Sequence, residues 1–215
     1  FATDIFTLGG NGDESFWQRF GYKGFRYVEA SIDRPAVLDE NNLTAYFVHS
    51  DIPTKGHIHT SSEIINKLWK ASCYSYLSNL VGYPTDCPQR EKNGWTGDTN
   101  AAMDLGFYNY DPITVYEKWM DDHKDAQLPN GVYPNIIPSP GWGYDWANGT
   151  DWTSTNIAVP WKTWLFYGDD HLLRSMYSNM KAYMDYIERT YPEGLTDWGL
   201  GDWIPVKSTS SVELT

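Results

Sequence analysis

The chain has 215 residues, with 28 Asp and Glu against 16 Lys and Arg and a formal net charge of −12. That balance leaves no basic face for phosphates and excludes nucleic acid as a partner. No apolar run approaches the roughly 18–20 residues of a membrane-spanning helix.

In chain order, residues 1 to about 52 read as β-rich. Tyr27-Val-Glu-Ala-Ser-Ile32 and Leu43-Thr-Ala-Tyr-Phe-Val48 are short β-branched and aromatic runs bounded by turn residues. The segment is too short to close a sandwich and is expected to supply the last strands of an upstream β-domain and its linker (residues 1–55). Beginning at Phe1 without a methionine, the chain is expected to be a piece of a longer protein, with the rest of that polypeptide as its partner.

The apolar period then lengthens. Ile65, Leu68, Trp69, Cys73, Tyr76, Leu77 and Leu80 recur at helical spacing, with Ser61 or Ser62 as N-cap and Gly82 as stop. A stiff turned loop follows, Tyr83-Pro-Thr-Asp-Cys-Pro-Gln-Arg-Glu-Lys-Asn-Gly-Trp-Thr-Gly-Asp98. Further helices are predicted over about 99–107, from an Asp111 cap with Pro112 in the first turn to near Pro129, over 155–167 despite Pro160, and over 170–190. Residues 129–153 form a long aromatic loop, and loops of that length in compact domains are usually functional. Helix, long loop, helix fits a mainly α architecture, an α/α toroid with loops at one rim (residues 56–215). A plain helical bundle is the alternative, although bundles favour short connections.

The loop at 83–98 carries the chemistry. It sets Asp86, Glu91 and Asp98 beside Arg90 and Trp95. A glycosidase needs hydroxyl acceptors, a flat apolar face and a carboxyl group kept protonated near working pH. Glu91 is the candidate proton donor, because a neighbouring indole and two ionised aspartates both raise a carboxyl pKa. Asp86 and Asp98, left ionised, would accept hydrogen bonds from sugar hydroxyls, and Arg90 would orient one of them. The plainer reading makes the aspartates turn and helix caps, Asp98 capping the helix after it.

Other residues carry weaker signals. The His57-Ile-His59 pair has no third ligand at a recognised spacing, so no metal and no cofactor is predicted. His49 and His171 are expected at the surface, and His123 in solvent at a helix end. Trp69, Trp119, Trp161 and Trp164 fall on helical faces and are expected in the core. Trp142, Trp146, Trp152, Trp198 and Trp203 fall in loops, where an indole beside an acid suits a cavity rim. Cys73 and Cys87 have neither disulfide-framework nor metal spacing and are expected as free thiols.

The stretch Asp86-Cys-Pro-Gln-Arg-Glu-Lys-Asn-Gly-Trp-Thr-Gly-Asp98 resembles the signature of bacterial α-L-rhamnosidases of glycoside hydrolase family 78. Gly24-Phe-Arg-Tyr-Val28, Val159-Pro-Trp161 and Gly201-Asp-Trp203 support the resemblance in the expected order. It implies an (α/α)6-barrel catalytic domain and an inverting removal of terminal α-L-rhamnose from rhamnose-containing glycosides or oligosaccharides. It also implies Glu91 as general acid, with Asp86, Arg90, Trp95, Asp98, Trp152 and Trp203 holding the sugar. Two departures stand out. Glu91-Lys92 replaces the Asp-Glu of many members, and Trp152-Thr-Ser-Thr155 replaces a frequent Trp-Gly-Asp-Ala. The family's general base lies downstream of the matched residues, so none is named here, and the piece alone is expected to be inactive and to expose a large apolar face. A non-catalytic carbohydrate-binding protein and a toroid glycosidase of other sugar specificity are the alternatives. The compartment is left open.

Overall fold

The computed structural model of the chain describes residues 2–201. Residues 2–50 run extended and largely exposed, with one 3-10 turn at Glu40–Asn42 capped by Asp39. The predicted strands do not pair. Among the described residues β-pairing is confined to isolated bridges, Thr54 with Tyr110, Leu80 with Pro84 and Trp95 with Ile136. A strand is defined by the ladder it makes with a neighbour, and the runs at 27–32 and 43–48 have none. Phe20 and Tyr27 consequently stand almost wholly in solvent.

Helices begin after the linker: α1 Glu63–Ser78, α2 Thr96–Asn109, α3 Ile113–Ala126, α4 Thr150–Thr153, α5 Thr155–Tyr167 and α6 His171–Thr190. Helix α1 packs on α2, α2 on α4 and α5, and α3 on α5 and α6, which also pack together. The main core joins Met103 and Phe107 of α2, Tyr116, Trp119 and Met120 of α3, Val159 of α5, and Leu172, Met176 and Tyr183 of α6. Tyr133 and Ile137 of the long loop complete it. A smaller core under the linker joins Ile52, Cys73, Tyr76, Leu80, Tyr110 and Val115.

Several helix starts differ from expectation for identifiable reasons. Helix α2 begins at Thr96 because the Asn135 carbonyl accepts the Thr96 N–H at 3.0 Å, so Asp98 lies inside the first turn and is not its cap. Helix α3 starts from Pro112, whose carbonyl accepts from Val115 and Tyr116. The Asp111 carboxylate is occupied instead by the Tyr167 hydroxyl at 2.5 Å and the Lys55 ammonium at 2.8 Å. The long loop ends in the short α4, because the Gly149 carbonyl gathers the N–H groups of Trp152 and Thr153.

Three burial expectations are corrected. His123 is fully buried: Nδ1 meets the Trp119 carbonyl at 2.9 Å and Nε2 the Thr155 hydroxyl at 3.2 Å. Burial pulls its pKa down to about 4. It continues the face of α3 that buries Tyr116, Trp119 and Met120. Trp161 and Trp164 are exposed rather than core, tilted against one another with ring centres 4.9 Å apart. Helix α1 buries Cys73 and Tyr76 but leaves Ile65 and Leu68 of the same predicted stripe in solvent. Cys73 and Cys87 are buried free thiols.

Candidate functional site

The acid loop folds in two parts. The first closes on itself through Asp86 and Asn93. The Asp86 N–H donates to the Asn93 carbonyl at 3.0 Å, and the Asn93 N–H donates back to Asp86 Oδ1 at 2.9 Å. Lys92 makes the turn possible by taking a left-handed conformation, φ 55°, uncommon for a residue with a Cβ. Inside this ring sits Cys87. Its thiol donates to Asp86 Oδ2 at 2.7 Å, and its sulfur accepts the Glu91 N–H at 3.2 Å. One buried side chain thus links the carboxylate of one predicted site residue to the backbone of another. Composition and spacing treated Cys87 as a bystander; its place between two acids five residues apart was the available signal.

The second part is held from outside. Ile137 N–H donates to the Gly94 carbonyl at 2.9 Å, and the Thr96 N–H and hydroxyl both reach the Asn135 carbonyl at 3.0 Å. The Trp119 indole N–H holds the Ile137 carbonyl from the core at 2.8 Å. Gly94 permits this approach, since a Cβ there would lie 2.0 Å from the Ile137 carbonyl oxygen. Gly97 plays the same part against α4, where an added Cβ would lie 2.4 Å from the Trp152 ring. Trp152 therefore packs on the backbone immediately before Asp98, its indole N–H buried and without a hydrogen-bond partner among the described residues. The upstream segment also reaches the loop, Lys92 Nζ lying 5.3 Å from the centre of the Tyr22 ring.

Asp86, Glu91, Trp95, Asp98 and Trp152 thus share one neighbourhood. Trp95 neighbours Glu91 through its polar edge: its Nε1–H donates to Glu91 Oε2 at 3.0 Å. The Asp98 carboxyl is pushed up to about 6, first by desolvation and then by the Asp86 and Glu91 carboxylates, with a backbone hydrogen bond opposing. Asp98 keeps an open side, yet the helix start and loop packed around it remove enough water for desolvation to lead. A cavity of about 390 Å³ between α1 and α2 is lined by Asp86 and Asp98 together with Tyr76, Asn79, Thr85 and Thr99. The Thr99 hydroxyl is buried there without a hydrogen-bond partner among the described residues. Glu91, Arg90 and Trp95 do not line this cavity. Arg90 is exposed and forms no ion pair among the described residues, so it orients neither aspartate. Trp203 lies outside the described residues.

Two further indoles, ranked lower in the sequence, join this neighbourhood. Trp142 and Trp146 stand 6.1 and 6.0 Å from Trp95, ring centre to ring centre, and 5.9 Å from each other. Trp198 instead fastens the following segment, its N–H donating to Asn148 Oδ1 at 2.9 Å.

Comparison with known proteins agrees with this architecture. Residues 53–215 match the bacterial alpha-L-rhamnosidase 6 hairpin glycosidase domain, and residues 1–49 the bacterial alpha-L-rhamnosidase concanavalin-like domain. An alpha-L-rhamnosidase of Formosa agariphila is 32% identical over 207 residues, covering 91% of this chain and 21% of the relative. One from Streptomyces avermitilis is 32% identical over 210 residues, covering 95% and 20%. Among solved structures, the alpha-L-rhamnosidase of Dictyoglumus thermophilum superposes with a TM-score of 0.70 at 31% identity, over 74% of this chain and 18% of that one. The Streptomyces avermitilis enzyme complexed with L-rhamnose gives 0.67 at 28% identity, over 76% and 16%. The chain spans about a fifth of the length of the curated relatives it matches. A mainly helical part of a six-hairpin glycosidase domain preceded by the end of a concanavalin-like domain, this chain belongs to the bacterial α-L-rhamnosidase family.

Proposed function

We propose that the protein carrying this chain removes terminal α-L-rhamnose from rhamnosides with inversion, and that this chain supplies the proton donor and part of the sugar-holding set. The observation that carries the reading is the convergence of three carboxyl groups on one short loop. Asp98 lies close enough to Asp86 and Glu91 for both to raise its pKa, and an indole N–H reaches Glu91. Glu91 protonates the departing glycosidic oxygen as the C–O bond breaks. A carboxylate on the opposite face of the sugar, about 6.5–9.5 Å from the acid in inverting enzymes, takes a proton from the attacking water. No residue of this chain is assigned that second role. Asp86 and Asp98 accept hydrogen bonds from sugar hydroxyls, with Trp95 and Trp152 as apolar walls.

A second assignment has one observation in its favour. Burial pushes the Asp98 carboxyl toward neutrality, which suits a proton donor. The full-length enzyme separates the two assignments. Removing a general acid costs typically 10²–10⁴-fold, but far less when the leaving group needs no proton. Glu91→Gln is expected to lose that much on methyl α-L-rhamnoside, little on a 2,4-dinitrophenyl rhamnoside, and to keep its affinity for L-rhamnose. Asp98→Asn is expected to lose activity equally on both substrates. If the leaving-group dependence follows Asp98→Asn instead, Asp98 is the donor. The pH profile supplies an independent check. An Asp98 that must be ionised to accept hydrogen bonds gives an acidic limb near pH 6, whereas a donor gives an alkaline limb there.

A further inference from the structure

Of residues 2–48, all stand exposed except Glu14, Tyr22 and Lys23. Glu14 is covered by its own turn, its carboxylate accepting the Gly9 and Gly10 N–H groups. Tyr22 and Lys23 are covered because the upstream segment meets the acid loop there. Lys92 Nζ lies 5.3 Å from the centre of the Tyr22 ring, a distance at which an aromatic face attracts an ammonium. Burial raises the pKa of the Tyr22 hydroxyl, the Thr85 side chain opposing and Tyr83, Asp86 and Cys87 adding to it. The same tyrosine therefore faces both ends of the self-closed turn. Two residues on, Gly24 abuts Gln89: a Cβ there would stand 2.5 Å from the Gln89 Cβ and 3.1 Å from its Cα. Lys23, between the two, pairs with the Asp4 carboxylate, which also accepts from Gln18 Nε2 at 2.6 Å. The contact is thus tied back to the rest of the upstream segment.

The two loop residues held this way flank Glu91. Lys92 lies in the left-handed region, φ 55°, a conformation that is costly for a residue with a Cβ and persists where neighbours over-determine it. Its backbone is held from within the loop: the N–H donates to the Cys87 carbonyl at 3.2 Å, and the carbonyl accepts from the Tyr83 hydroxyl at 3.2 Å. Its side chain is held from the upstream segment, by the Tyr22 ring. The turn that carries Glu91 is therefore braced before and after that residue, Gln89 against Gly24 and Lys92 against Tyr22. A general acid must come within hydrogen-bond reach of the oxygen it protonates, so the residues that fix its neighbours also fix its reach.

Resting on the rhamnosidase reading above, with Glu91 as donor, we propose that Tyr22 and Gly24 of the concanavalin-like part are positioning residues for Glu91, acting through Lys92 and Gln89. The upstream part of the chain then has a share in the proton transfer. The test uses the full-length enzyme. A displacement of about 1 Å at a catalytic group costs about 10²-fold, so the smaller one expected in Tyr22→Ala lowers kcat/KM on methyl α-L-rhamnoside by roughly tenfold. On 2,4-dinitrophenyl α-L-rhamnoside, whose leaving group needs no proton, the fall stays within about twofold. The inhibition constant of L-rhamnose is unchanged. Gly24→Ala, which pushes on Gln89, gives the same signature, and Tyr22→Phe, which keeps the ring face, stays close to wild type. Added to Glu91→Gln, Tyr22→Ala costs nothing further, because the group it positions is gone. Should Tyr22→Ala not fold, Lys92→Met removes the ammonium from the ring, leaves the upstream segment whole and carries the same expectations. Equal losses on the two substrates, no loss, a weakened L-rhamnose, or losses additive with Glu91→Gln overturn the positioning role and leave the rhamnosidase reading intact. A Tyr22→Phe variant as poor as Tyr22→Ala overturns the ring contact on which that role rests. Glu91→Gln without leaving-group dependence overturns the donor assignment, and a wild-type enzyme inert toward every rhamnoside overturns the rhamnosidase reading; either takes this inference with it.

Discussion

The two parts of the acid loop solve the same problem by opposite means. Residues 86–93 hold their shape with their own groups: Asp86 and Asn93 exchange hydrogen bonds, and Cys87 links Asp86 to Glu91. Residues 94–98 hold theirs only because other segments arrive, Asn135 and Ile137 from the long loop and Trp152 from α4. Glu91, the proposed proton donor, thus sits on a locally closed turn, while Trp95 and Asp98 sit on a tertiary junction. Damage to the second part should travel into the core, and damage to the first should stay local.

The largest effect is expected at the junction. Gly94→Ala places a Cβ 2.0 Å from a backbone oxygen that the core holds through Trp119, and overpacking of this kind costs about 1–3 kcal/mol. Thermal unfolding of the full-length enzyme should shift down together with loss of most rhamnoside turnover. A variant of unchanged Tm and activity would show that the junction yields freely. Gly97→Ala comes next. Its Cβ meets the Trp152 ring at 2.4 Å, so roughly tenfold loss in kcat/KM is expected, partly recovered in Gly97→Ala/Trp152→Ala, where the obstructing ring is gone. Strict additivity of the two changes would mean that the residues do not couple.

The smallest effect belongs to the self-closed part. Cys87→Ala removes one donor and one acceptor and is expected to lower kcat a few-fold, in line with one hydrogen bond of roughly 1 kcal/mol, with little change in Tm. Cys87→Ser keeps a hydroxyl in the same place and should recover most of the loss. If Ser and Ala behave alike, Cys87 acts as packing only. These outcomes bear on the comparison directly, because a large Tm change at Cys87 would erase the distinction between the two parts.

Much of the helical frame was legible from apolar period and punctuation. Helix α5 spans Thr155–Tyr167 as its pattern indicates, and α6 follows Asp170 and ends at Thr190. The reading of the first segment as the end of a β-domain agrees with the concanavalin-like match over residues 1–49, but strand pairing was not legible, since β-branched runs at 27–32 and 43–48 show a residue's readiness to pair and nothing about a partner. Burial of individual aromatics was equally out of reach. Trp119 and Trp161 both lie on helical faces, yet one is fully buried and the other half exposed, because a helical period marks a face without saying what covers it. His123 shows the reverse, a polar residue next to two aspartates whose place on the α3 face overrides its composition.

At the site the division is sharper. The sequence by itself determined that three carboxyl groups, a guanidinium and an indole share thirteen residues, and that prolines and glycines keep them out of a helix. That is local covalent information, and it sufficed for the family. Only the tertiary structure decided that the Asp98 carboxyl is pushed up, that the indole N–H of Trp95 meets Glu91, and that Arg90 stands apart. Those outcomes depend on desolvation and on distances of a few ångströms between segments 39 or more residues apart, such as Thr96 with Asn135 and Gly97 with Trp152, and no local pattern encodes them.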